Sequence, residues 1–225
     1  MRAHAAYDVD MRALAAIAVV MFGPTAVADR PAPALSPDQA LQILVAGNQK
    51  FVAAGASCAR QSPARRTEVA TAQHPVAVVV GCADSRVPPE AIFGQGIGDL
   101  FVIRVAGNVI DDTVLGSIEY AVDHLGATLV VVLGHERCGA VEAAVSAEPA
   151  PAHVDAVVRR IRAALAGKKA PLAEAVRINV AASVRDIAGS APLLAPAVQK
   201  GRVKVVGARY DLDSGAVELL DATPR

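Results

Sequence analysis

Two short stretches of this chain carry side chains able to hold a metal. One is Gly81-Cys82-Ala83-Asp84-Ser85-Arg86, the other Gly134-His135-Glu136-Arg137-Cys138-Gly139. Each follows a run of β-branched residues and puts a glycine, then a metal-capable side chain, just past the run's end. In open α/β sheets ligands gather outside the carboxyl ends of the strands. If the two runs are neighbouring strands, Cys82, His135 and Cys138 converge. His135 and Cys138 are three apart at a strand-to-helix junction, so one turn can aim both inward. Two thiolates and an imidazole make a zinc set with one coordination position left open, the mark of a catalytic rather than a structural site. Taken singly, each of the three is more often a small buried hydrophobe or a satisfied core histidine. Their matched placement is what argues for a metal.

Asp84 and Arg86 sharpen the chemistry. A carboxylate two residues from a metal-bound thiolate either takes the fourth position or accepts a hydrogen bond from the water there. Arg86 can grip that carboxylate through its two-pronged guanidinium and keep it ionised. Zinc lowers the pKa of water to roughly 7, so hydroxide is available at neutral pH. Such a site hydrates or hydrolyses something small. Two other readings fail. A phosphatase-like Cys-x5-Arg loop does not fit, because the first arginine after Cys82 is Arg86 and position 88 is proline. Gly94-Gln95-Gly96-Ile97-Gly98 precedes a strand instead of linking strand to helix, so it is a turn and not a nucleotide loop.

The elements that must position these residues are legible in the hydrophobic pattern. Val76–Val80, Phe101–Val105 and Leu129–Leu133 are continuous apolar runs of the kind buried on both faces. Ser36-Pro37-Asp38 starts a helix with Leu41, Leu44, Val45 and Phe51 on one face, ending near Gly55. Further helices are expected over Arg65–Gln73 and Asp112–His124, then at about 138–147, 154–166 and 172–189. Val203–Gly207 and Ala216–Leu220, joined through Asp213-Ser214-Gly215, read as late strands. Strands alternating with helices predict an α/β fold, with a mainly parallel central sheet flanked by helices and a C-terminal antiparallel hairpin.

Composition agrees. The 225 residues are 53% hydrophobic and 20% charged, rich in Ala and Val, which suits helices on a buried sheet and excludes a disordered chain. Lys+Arg and Asp+Glu balance at 22 each, so no global basic field recruits nucleic acid or anionic membrane. Three cysteines are too few and too odd a number for a disulfide scaffold. Cys58 is the one the metal set leaves over. At the other end of the chain, Arg12, an uncharged stretch from Leu14 to Phe22, and Ala26-Val27-Ala28 before Asp29 follow the order of a secretory signal peptide. Residues 1–28 are therefore expected to be a cleaved signal, with Met11 as the true start, residues 29–36 a linker, and 37–225 one catalytic domain. The expected destination is the periplasm or the exterior, with no stable membrane anchor.

Cys82-x-Asp84-Ser85-Arg86 together with His135-x-x-Cys138-Gly139 resembles the two zinc motifs of the β-class carbonic anhydrases. The similarity extends over about Leu41 to Leu220, through Arg104-Val105-Ala106-Gly107-Asn108, Gly116–Val122 and Gly207–Leu212. The resemblance implies reversible hydration of carbon dioxide to bicarbonate and a proton, with one zinc per chain on Cys82, His135 and Cys138. Asp84 would orient the attacking hydroxide, or ligate zinc in a resting form, and Arg86 would hold Asp84. Gln73, Phe101 and Tyr120 fall where the plant-like branch lines its substrate pocket, and Gly107 is assigned to the same pocket. The chain has no tryptophan, so the second bicarbonate site of the other branch is not expected. A homodimer, or a multiple of it, is implied, with the pocket at the interface. His74 is a candidate proton shuttle. The rivals are hydrolysis of carbon disulfide or carbonyl sulfide on the same ligands, and a non-catalytic zinc or bicarbonate-binding role.

Overall fold

The computed structural model describes residues 35–54, 60–146 and 148–220. The expected signal, the linker up to residue 34 and Cys58 lie outside the described residues. One sheet runs in the order β2-β1-β3-β4-β5, with β1 Ala77–Gly81, β2 Leu100–Arg104, β3 Leu129–His135, β4 Lys204–Tyr210 and β5 Val217–Leu220. β1 pairs in parallel with β2 and β3, β3 pairs in parallel with β4, and β5 closes the edge antiparallel to β4. This is the mixed, mainly parallel sheet expected. Every residue of β1 and β3 is buried. Strands covered on both faces have no polar side to alternate with, hence their unbroken apolar runs.

Successive side chains on these strands feed two different cores. Val78, Val80, Val130 and Val132 meet α4 (Asp112–His124), α7 (Leu172–Ala188) and α8 (Leu194–Gln199). Ala77, Val79, Leu129, Val131 and Leu133 meet α1 (Pro37–Ala54) and α3 (Pro89–Ile92). A third cluster lies past the strand ends and joins Cys82 and Cys138 to α5 (Gly139–Val145), α6 (Val154–Leu165) and α7. Packing of α7 on β3 is so close that a Cβ at Gly134 would stand 2.5 Å from Val180 Cγ2. That is why a glycine precedes His135.

Several boundaries differ from the sequence pattern. α1 is capped as expected, Ser36 and Gln39 exchanging side chain-to-backbone bonds of 3.2 and 2.9 Å. Its buried face, however, is Ala40, Leu44, Gly47 and Asn48, with Leu41 and Phe51 only partly buried. Asn48 turns the helix, because its amide donates to the carbonyls of Ile92 and Gly215 and accepts from Val217 N–H. The helix expected over Arg65–Gln73 is shorter and earlier, α2 spanning Pro63–Glu68. None of its residues is buried, so no apolar face prolongs it, and its tie to the rest of the fold is polar, Arg65 bonding Ile97 O and Asp99. β3 runs two residues further than expected and includes His135. The short α3 and α8 carry too few turns to show a period. Among the described residues no helix is long and apolar enough to cross a membrane.

Asp111 starts α4 by accepting from Val114 N–H at 2.9 Å and from the Thr113 hydroxyl at 2.6 Å. The Thr113 bond and then the Val114 bond hold its carboxyl below the ordinary value. A carboxyl lowered by folding stabilises above its unfolded pKa, and the contribution fades as pH falls through the lower, folded value. Asp111→Ala should therefore cost about 1 kcal/mol in urea unfolding at neutral pH, and less in acid. An unchanged midpoint at neutral pH would remove this role.

Candidate metal centre

Parallel pairing of β1 with β3 places Gly81 beside Leu133, so the residues just beyond both strands share one edge of the sheet. Cys82 leaves β1, His135 ends β3, and Cys138 caps α5. Their ligand atoms all lie within 4.8 Å of one another, and all three residues are buried. His135 is fully buried, and among the described residues its Nε2 has no hydrogen-bond partner. The other ring nitrogen, Nδ1, sits 2.8 Å from the carbonyl of Glu136. A carbonyl only accepts, so Nδ1 carries the proton and Nε2 presents a lone pair toward the two sulfurs. An orphaned buried nitrogen facing two buried thiol sulfurs is a donor set that a metal ion completes.

The backbone prepares one sulfur as an anion. Cys82 Sγ accepts from Gly107 N–H at 3.2 Å and Asp84 N–H at 3.4 Å. The neighbouring Cys138 thiol does most to lower the Cys82 pKa, against the opposing effect of burial. Cys138 moves the other way, raised by the Cys82 sulfur and by burial. Cys82 is thus the sulfur that its surroundings favour as a thiolate. Burial presses the His135 pKa down, but the Cys82 sulfur and other neighbours outweigh it and the net shift is upward.

Gly107 is thus placed against the Cys82 sulfur. Its φ of +68° strains any residue with a side chain, and a Cβ there would stand 2.7 Å from Ile161 Cδ1 and 3.1 Å from Ala140 Cβ. Three residues that the sequence reading gave no role complete the support. Arg104 donates to the carbonyls of Cys82 and Asp84. Asn179 Nδ2 donates to Gly107 O at 2.8 Å and Ser183 to Asn108 O at 3.1 Å. The one available signal was Arg104 itself, a charge ending an otherwise apolar strand.

Asp84 stands at the exposed side of this group. Arg86 binds its carboxylate with Nε at 2.9 Å and Nη2 at 2.7 Å, and the Arg86 backbone N–H adds a third bond at 2.9 Å. These bonds hold the Asp84 carboxyl well below the usual carboxylate range. Its Oδ2 lies 3.8 Å from His135 Nε2. Asp84 is therefore an ionised acceptor beside the ligand set, with its orientation fixed by Arg86.

Gln73, Phe101 and Tyr120 are not brought to this group within one chain. Phe101 pairs with Val78 near the amino end of β1, about four residues or roughly 13 Å along the strand from Cys82. Its ring lies 6.3 Å from that of Tyr120, which is 47% exposed. Gln73 and His74 are exposed in the stretch leading into β1, also away from the metal edge.

A family model described as carbonic anhydrase matches residues 77–217. Carbonic anhydrase 2 of Mycobacterium tuberculosis (strain ATCC 25618 / H37Rv) is 41% identical over 197 residues, covering 84% of this chain and 95% of that protein. A Coccomyxa β-carbonic anhydrase solved in complex with acetazolamide superposes with a TM-score of 0.63 at 32% identity, covering 68% of this chain and 75% of that one. One of two tetrameric β-carbonic anhydrases from Sordaria macrospora superposes with a TM-score of 0.64 at 26% identity, covering 69% and 85% respectively.

Proposed function

Since the chain belongs to the β-class carbonic anhydrase family and catalyses reversible hydration of carbon dioxide, we propose that one zinc ion per chain, held by Cys82, His135 and Cys138, serves that reaction. The observation that carries this reading is the unpartnered Nε2 of His135, buried against two sulfurs with the Asp84 carboxylate 3.8 Å away. Zinc on three protein ligands supplies the Lewis acidity that lets water ionise near pH 7. Asp84, ionised and unable to donate, accepts the remaining O–H of the attacking water and so aims its lone pair at the carbon of carbon dioxide. Arg86 keeps that acceptor charged and in place. The Gly107 and Asp84 amides hold the Cys82 sulfur where a ligand is needed. Bicarbonate leaves, and the proton passes to solvent or buffer. A bicarbonate-binding role without catalysis would have no use for a clamped acceptor. Stopped-flow hydration with a pH indicator tests this reading: zinc-loaded protein should outrun the buffer by orders of magnitude, and a rate equal to buffer overturns it.

The placement of Gln73, Phe101 and Tyr120 supports an assembly. We propose a homodimer, or a multiple of it, in which these residues of one copy line the pocket over the metal edge of the other. Tyr120, half-exposed against Phe101, is the surface such a contact would cover. Sedimentation of the zinc-loaded protein should give twice the chain mass or more, and a monomer sinks the proposal. Residues 11–28 are proposed as an export signal. Sequencing the exported form should find Asp29 first, and an intact Met1 there argues against it.

A further inference from the structure

The two residues between His135 and Cys138 are fastened to a part of the chain that supplies no ligand. Glu136 donates its N–H to Tyr210 O at 3.0 Å, and its side chain accepts from Arg209 Nη1 at 2.9 Å. Its carbonyl is the acceptor that fixes the His135 ring. Arg137 sits at a φ of +49°, a left-handed conformation uncommon for residues other than glycine, asparagine and aspartate. Its guanidinium makes a two-pronged pair with Asp213, at 2.8 and 2.7 Å. Asp213 lies in the turn between β4 and β5, braced where Asp211 Oδ1 accepts the N–H groups of Asp213 and Ser214. Asn48 of α1 anchors the far side of that turn through Gly215 O. The carboxylates of Glu136, Asp211 and Asp213 are all engaged by these partners, so their proximity is no second metal site.

We propose that the β4–β5 hairpin is a clasp on the metal loop, with Asp213 and Arg209 as positioning residues that hold Arg137 and Glu136 so that Cys138 and His135 keep their aim. This rests on the reading of Cys82, His135 and Cys138 as zinc ligands. Arg137 and Asp213 are 52% and 76% exposed, so their pair adds little to global stability. Its effect is local, on the geometry of the loop. Residues that orient metal ligands typically change affinity by 10- to 100-fold when lost.

The test is a charge swap read by zinc release to a chromophoric chelator. Arg137→Asp and Asp213→Arg should each speed release about tenfold, and the double variant should return it to near the wild-type rate. Urea unfolding of the metal-free single variants should match wild type, and cobalt-substituted single variants should show shifted thiolate charge-transfer bands. Aspartate tolerates the left-handed conformation, so the swap keeps the loop formable. Asp213→Asn, a near-isosteric change at an exposed position, repeats the test with the least risk to folding. Unchanged release in the single variants, or faster release that the swap does not restore, overturns the clasp. A wild-type chain that takes up no zinc overturns the metal reading itself.

Discussion

Cys138→Ser is expected to reduce bound zinc to a trace and the hydration rate to that of buffer. Serine is among the best residues for starting a helix, so α5 keeps its cap at position 138 and the fold survives. The hydroxyl does not ionise at neutral pH, and two ligands remain of three. Metal analysis after gel filtration and stopped-flow hydration provide the two readouts. One zinc per chain in the variant would show that Cys138 is not a ligand.

Asp84→Asn should separate binding from turnover. The ligand set is untouched and zinc should stay at one per chain. The rate should fall by roughly a hundredfold or more, the scale set by removing one preorganised polar group from a reacting centre. Asparagine is nearly the same shape but presents an N–H2 group. Either that group faces the Arg86 donors, which repel it, or it faces the water, to which it donates where Asp84 accepted. Because Arg86 holds the Asp84 carboxyl far below its usual range, mild acid does not protonate it, and any loss of wild-type rate on mild acidification belongs to another group. A variant at full rate would remove Asp84 from the mechanism. A variant without zinc would make it a ligand instead.

The meeting of Cys82, His135 and Cys138 was legible because its signal is local and repeated. Two apolar runs end in glycine followed by a metal-capable side chain, and parallel pairing of β1 with β3 brings those ends together. Asp84 and Arg86 were legible for a similar reason, since two-residue spacing leaves their pairing little freedom. Arg104, Asn179 and Ser183 were not, because each meets the loop it supports across 20 or more residues of intervening chain. Gly107 was visible as a conspicuous residue, but its donation to Cys82 depends on where the chain passes after β2. The buried face of α1 was misplaced because the helix turns on a polar residue, Asn48, which a hydrophobic pattern counts as surface. Gln73, Phe101 and Tyr120 were found as residues, yet one chain leaves them along the strands from the metal edge.

The pairing of Leu129 with Lys204 has a kinetic consequence. β4 completes the second edge of β3, and it arrives only after α5, α6, α7 and α8 have been made. Closing so long a loop is slow and late among the contacts of a folding chain. Until it closes, β3 exposes an unpaired hydrophobic edge, the kind of surface that recruits other chains. Arg209 and Asp213, which hold the metal loop, arrive with the same segment. A ribosome-bound or truncated chain ending before Lys204 should therefore have β1 and β3 in sequence but no competent metal site, and a strong tendency to aggregate.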